Sequence, residues 1–126
     1  MSLPAKPDDD PTFHHREYVS RSLRARRQEL GLTQKEMGRR VALRIYVTPN
    51  VAVTTIYFWE NGNPYGTPSK IGRERYGHMY MARLGVYIQE LSFDVEELTR
   101  IVGAMNAIDA RFTFPPDESK LKNILA

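Results

Sequence analysis

A chain of 126 residues, 41% of them hydrophobic, suffices for one domain with a core of its own. It has no cysteine, which excludes a disulfide framework and thiolate zinc sites, and no apolar run near the roughly 18 residues of a membrane span, so a soluble, cytoplasmic protein is expected. The net charge of +3 hides a split: residues 16–44 hold nine Arg or Lys against three Glu, whereas residues 85–126 hold four against seven acids, and the first region is expected to meet a polyanion.

Residues 1–12, rich in Pro and Asp, read as a disordered tail. From about Thr12 to Leu30, Val19, Leu23 and Leu30 recur at helical spacing with arginines over the remaining surface, which predicts a helix. Gly31 supplies its left-handed stop. Thr33-Gln34-Lys35-Glu36 has the spacing of a capping box and opens a second helix, with Met37 and Val41 inward and Arg39 and Arg40 outward. The stretch Val41 to Gly62 reads two ways. Val41, Leu43, Ile45 and Val47, then Val51, Val53, Thr55 and Tyr57, alternate around Thr48-Pro49-Asn50 as a β-hairpin would, yet Thr54 to Asn61 also reads as a short helix before a glycine. Asn61 to Lys70 is dense in Gly, Pro and Asn and predicts a loop.

Two apolar stripes follow. Tyr76, Tyr80, Leu84, Tyr87, Ile88 and Leu91 form one, and Val95, Leu98, Ile101, Val102, Met105, Ile108 and Phe112 the other, with Ser92 and Asp94 as candidate N-caps. The second is wide enough to serve both as core and as a dimer seam. Phe114-Pro115-Pro116 closes it, and residues 115–126 read as a tail.

Two blocks of this order, "LRARRQELGLTQKEMGRRV" and "NVAVTTIYFWENG", resemble the helix-turn-helix domain of the phage-repressor and Cro-like (XRE) transcriptional regulators. Leu23, Arg24, Arg27, Gly31, Leu32, Thr33 and Gln34 match the first part of the family pattern, and Val51, Thr55, Ile56, Trp59, Glu60 and Gly62 the second. The resemblance covers about residues 19–68 and resolves the ambiguous stretch in favour of a helix. It implies an all-α fold: a repressor-like helix-turn-helix bundle over residues 13–69, with an inserted connector around Leu43 to Pro49 and two additional C-terminal helices over residues 70–114. Asn50 stands for the turn glycine and Ala52 for the usual Ser cap, which removes a capping oxygen. Gly38 stands where the family prefers Ala.

The function implied is that of a DNA-binding transcriptional regulator acting on double-stranded DNA as a homodimer. Arg24, Arg27, Lys35, Arg39, Arg40 and Arg44 are expected to hold phosphates. Seven of the eight cations between positions 16 and 40 are arginine, whose planar fork fits phosphate oxygens. Thr33 caps the second helix, whose free amides suit a phosphate, and Gln34 carries the family's backbone or base contact. Val51, Ile56 and Trp59 are expected inward, and Val53, Thr54, Tyr57 and Phe58 toward the major groove. A different use of the frame, as an antitoxin, anti-repressor or adaptor that binds a protein partner, is the alternative. His14, His15 and His78 lack ligand spacing, and no phosphate loop, nucleophile elbow or paired carboxylates occur, so no metal, no cofactor and no enzymatic activity are expected.

Overall fold

In the computed structural model, which describes residues 10–125 and side chains through Leu121, the first helix starts earlier than the tail reading allows. The Asp10 carboxylate accepts hydrogen bonds from the Thr12 amide and hydroxyl, 2.8 and 2.7 Å, and pairs with Arg16. Residues 10–12 therefore hold the first turn of α1 (Phe13–Glu29), and the expectation for residues 1–9 lies outside the described residues. Val19, Leu23 and Arg27, one turn apart, face inward. Gly31, at φ +71°, ends the helix. The Leu32 amide reaches the Arg27 carbonyl and the Gly31 amide the Gln28 carbonyl, the paired bonds of a Schellman stop.

α2 (Gln34–Ala42) begins with the expected capping box: the Glu36 amide donates to Thr33 Oγ1 at 3.0 Å, and the Glu36 side chain accepts from the Thr33 amide at 3.2 Å. Met37, Gly38, Val41 and Ala42 are buried. The connector that follows falls where the insertion was expected, except that Pro49 belongs to the next helix. Residues 43–48 turn back beneath α2, with Ile45 fully buried and the Val47 amide bonded to the Ala42 carbonyl, and α3 (Pro49–Trp59) then starts at once.

This corrects the reading of Asn50 and Ala52, which are helix-interior residues rather than turn and cap. Thr48 is the N-cap and Pro49 occupies the first turn, where a missing amide costs nothing and a fixed φ favours the helix. The strand-like alternation gives way to helical period: Ala52, Thr55, Ile56 and Trp59 are buried, whereas Val51, expected inward, is 48% exposed.

A short helix that sequence pattern missed, α4 (Lys70–Arg75), is capped by Ser69, which accepts from the Gly72 amide. α5 (Gly77–Leu91) closes on Ser92, whose left-handed backbone makes it a C-cap and not an N-cap. Asp94 does cap α6 (Val95–Ile108), accepting from the Glu97 amide at 2.8 Å. Phe112 lies past the end of α6 yet is buried. The segment expected as a C-terminal tail is also packed: Pro116 abuts Gly85, Leu121 is buried, and a 3-10 helix (Glu118–Leu125) runs along α5. Ala126 lies outside the described residues.

The result is an all-α bundle, with no strand among the described residues. α2 packs on α3 and α1 on α6, and one core joins the two halves, since Trp59 of α3 stacks on Tyr87 of α5 at 5.1 Å between ring centroids. Among the described residues no helix is long and apolar enough to cross a membrane.

Candidate functional site

The seam between α2 and α3 sets the geometry of the face they share. A Cβ added to Gly38 would meet Val53 Cγ2 at 2.7 Å, so the missing side chain is what lets the two helices close. Val53, expected to face outward, is therefore half-buried in that seam and does not belong to the open surface. At about 100° per residue, Lys35 and Arg39 fall on the solvent edge of α2 next to α3, while Arg40 turns toward the far side. All three are exposed and make no ion pair with the described residues.

On α3 the open side is a stripe of Asn50, Thr54 and Tyr57, four and three residues apart, which Asn61 extends just past the helix end; all four are exposed. Thr54 and Tyr57 stand as expected, Tyr57 being 53% exposed, and Phe58 is half-buried with its ring edge-on to Tyr57, centroids 5.8 Å apart. The Thr54 hydroxyl donates back to the Asn50 carbonyl at 3.2 Å, and the Asn61 amide to the Tyr57 carbonyl at 2.7 Å. Among the described residues the Asn50 side-chain amide has no such internal bond. Asn50 was missed because the sequence places it in a turn, and starting α3 at Thr48-Pro49 would have put it on the stripe; Asn61 was already in register with Thr54 and Tyr57 but was read only as the helix end.

Arg24 is exposed on α1. With Arg21 it borders a groove of about 320 Å³ that runs to Asn61 and Gly62 at the end of α3. Thr33 is engaged in its capping box, and Gln34 is half-buried, with its Nε2 donating to Glu60 Oε1 at 3.2 Å.

Two expected phosphate ligands are committed elsewhere. Arg27 is buried, donating through Nε and Nη2 to both oxygens of Glu60 at 2.8 Å and through Nη1 to the Leu32 carbonyl at 2.8 Å. Its position explains this, since it follows Val19 and Leu23 on the inward stripe of α1. Arg44 reaches Glu90 at 2.9 Å, Gln89 at 2.8 Å and Glu118 at 3.0 Å, so it ties the connector to α5 and the C-terminal 3-10 helix. Acids from the negatively charged half claim it.

Glu60 is the hub that sequence pattern did not find. It is 1% exposed and accepts from Arg27, from Gln34 and from the Tyr87 hydroxyl at 2.9 Å. Burial pushes its carboxyl up, but the bonds from Arg27, Tyr87 and Gln34 outweigh that and hold it below the usual carboxylate range. Burial and the neighbouring carboxylate push the Tyr87 phenol up, so it stays a donor. The Glu60 bonds raise Arg27. Close by, the Ser20 hydroxyl donates to the Trp59 carbonyl at 2.6 Å and accepts from the Gly62 amide at 2.8 Å, while Arg16 donates to the Gly62 carbonyl at 2.7 Å. The C-terminal end of α3 is thus bolted to α1, α2 and α5, and its outer stripe is presented from a fixed base. No family model, curated protein or solved structure matches the chain.

Proposed function

We propose that the protein is a repressor-like helix-turn-helix regulator of transcription that binds double-stranded DNA as a homodimer, with the stripe of α3 in the major groove. One observation carries this reading. A helix face of amide, hydroxyl and aromatic groups, Asn50, Thr54 and Tyr57 with Asn61 just past its end, is anchored from behind and flanked by Lys35, Arg39 and Arg24, which make no ion pair with the described residues. Duplex DNA needs this combination. Unpaired cations neutralise phosphates and release counterions, and side chains on a rigid helix read base edges. An Asn amide can pair with adenine, and the Tyr57 ring can meet a thymine methyl.

Within this reading Lys35, Arg39 and Arg24 position the backbone, and Arg27, Arg44 and Gln34 contribute only by holding the frame. Two-fold symmetry would set the half-sites about one helical turn apart. Titration of random-sequence duplex at two salt concentrations tests the reading: affinity should fall steeply as salt rises, and selection from a random pool should return inverted half-sites at a mass of two chains per duplex. Absence of binding at low salt would exclude it and favour use of the exposed Leu43, Val51 and Tyr57 side chains against a protein partner.

A further inference from the structure

The α4–α5 corner holds three arginines with no carboxylate of their own. Arg73, Arg75 and Arg83 instead lie over tyrosine rings, 5.3 Å from the centroid of Tyr65, 5.7 Å from Tyr76 and 6.0 Å from Tyr80. None makes an ion pair with the described residues. Residues 70–83 carry four Arg or Lys against one Glu, so this is a second cationic region, separate from residues 16–44.

Stacking alone accounts for Arg75 but not for the other two. The Nε of Arg73 and that of Arg83 are shielded from solvent with no acceptor in reach, a costly state for a charged donor. Burial holds Arg83 below the usual arginine range, against the pull of Tyr80. Arg16 is lowered by burial and by the positive charge of Arg73, so two like charges face each other there. The acids around them are committed or turned to water: Asp10 to Arg16, Asp109 to Arg111 and the Tyr65 hydroxyl, and Glu74 to solvent. No described carboxylate neutralises the guanidinium charges of Arg73 and Arg83, and an external anion would do so through the part of each side chain that reaches the surface, the shielded Nε atoms staying inside.

The corner is tied to the loop that leaves the end of α3. Arg16 bonds the Gly62 carbonyl just past α3, and Arg73 bonds the Thr67 carbonyl in the same loop at 3.3 Å. A guanidinium held over an aromatic ring keeps its charge without a carboxylate partner, and the N–H groups of its planar fork can grip phosphate oxygens in pairs.

We propose that the α4–α5 corner is a second DNA contact surface, in which Arg73, Arg75 and Arg83 take duplex phosphates beyond the segment that α3 faces. It rests on the DNA-binding reading above, lengthens the footprint of each subunit, and is indifferent to sequence because it touches no base.

The test compares the full chain with Arg73→Gln/Arg75→Gln and, separately, Lys35→Gln/Arg39→Gln, each titrated with a duplex about three helical turns long over a salt series. Far-UV circular dichroism checks the fold of each. The corner variant is expected to lose affinity by one common factor on every duplex sequence, with the slope of log affinity against log salt smaller by about 2, near 0.9 per phosphate contact. Should that variant unfold, Arg75→Gln alone serves, with a slope smaller by about 1. An unchanged slope in the corner variant, beside weakened binding by Lys35→Gln/Arg39→Gln, overturns the corner and leaves the DNA reading standing. A loss confined to one sequence also overturns it. No binding by the unmodified chain at low salt overturns both.

Discussion

Glu60 shows how one side chain can decide the stability of the whole frame. A carboxylate 1% exposed is tolerable only because Arg27, Tyr87 and Gln34 satisfy it. Replacing Arg27 by Met leaves a buried, under-compensated charge, and a loss of about 3–5 kcal/mol in urea unfolding is expected. Tyr87→Phe removes one donor to a charged acceptor and should cost about 1.5–3 kcal/mol. The two should not add, because they share Glu60. The pH response follows from the direction of the shift. Glu60 and Asp109 sit below their usual values in the folded chain, so the folded state binds fewer protons, and their stabilisation is complete above pH ~4.3 and lost as pH falls through the lower folded values. In Arg27→Met burial dominates Glu60, its folded pKa rises above the unfolded one, and stability should instead grow as pH falls from neutrality. Urea midpoints of both chains between pH 7 and pH 3 check this: parallel curves would refute it. Arg27 was expected on the surface, although its spacing after Leu23 places it on the inward stripe. Its partner was not legible, because nothing local marks Glu60 as buried.

At the scale of elements, capping chemistry was readable and helix registration was less so. The Gly31 stop, the Thr33–Glu36 box and the Asp94 cap stand where short-range rules put them, because each depends on residues within a turn of one another. The start of α3 was misread because the alternation of β-branched residues and the resemblance centred on Thr54 to Asn61 both favour a later start than Thr48-Pro49, the stronger local signal. The first stripe was anticipated but α4 was not, since a six-residue helix has too few turns to show a period. The α2–α3 seam gives a prediction of its own. Gly38→Ala gains helix propensity of up to about 1 kcal/mol, but its Cβ would lie 2.7 Å from a stiff Val53 methyl, and overpacking of this kind costs about 1–3 kcal/mol. The clash is expected to win. Adding Val53→Ala removes the methyl, so the pair should show a favourable coupling in a double-mutant cycle, measured by thermal unfolding. Independent, additive effects would mean that the seam relaxes without Val53 moving.

For the molecule as a whole, the charge split read from the sequence has a structural counterpart: acids of α5 and the C-terminal 3-10 helix hold Arg44, while Lys35, Arg39 and Arg40 make no ion pair with the described residues. What sequence could not show is that residues beyond 70 complete the core of the first three helices. Trp59 stacks on Tyr87, Arg26 bonds the Leu91 and Ser92 carbonyls at 2.8 and 3.0 Å, and α1 lies along α6. Long-range partners of this kind leave no trace in local pattern. A chain ended after Pro68 would expose Trp59, Leu23 and Glu60 together, burying too little apolar surface to offset chain entropy. We expect that fragment to lose the near-ultraviolet dichroism of its single tryptophan and to unfold without a cooperative transition. The intact chain should unfold once, with tryptophan fluorescence and far-ultraviolet dichroism tracing the same urea curve. Trp59 reports on the seam between the halves, so a fluorescence midpoint displaced from the helix midpoint would mean that α1–α3 and α5–α6 part before either melts.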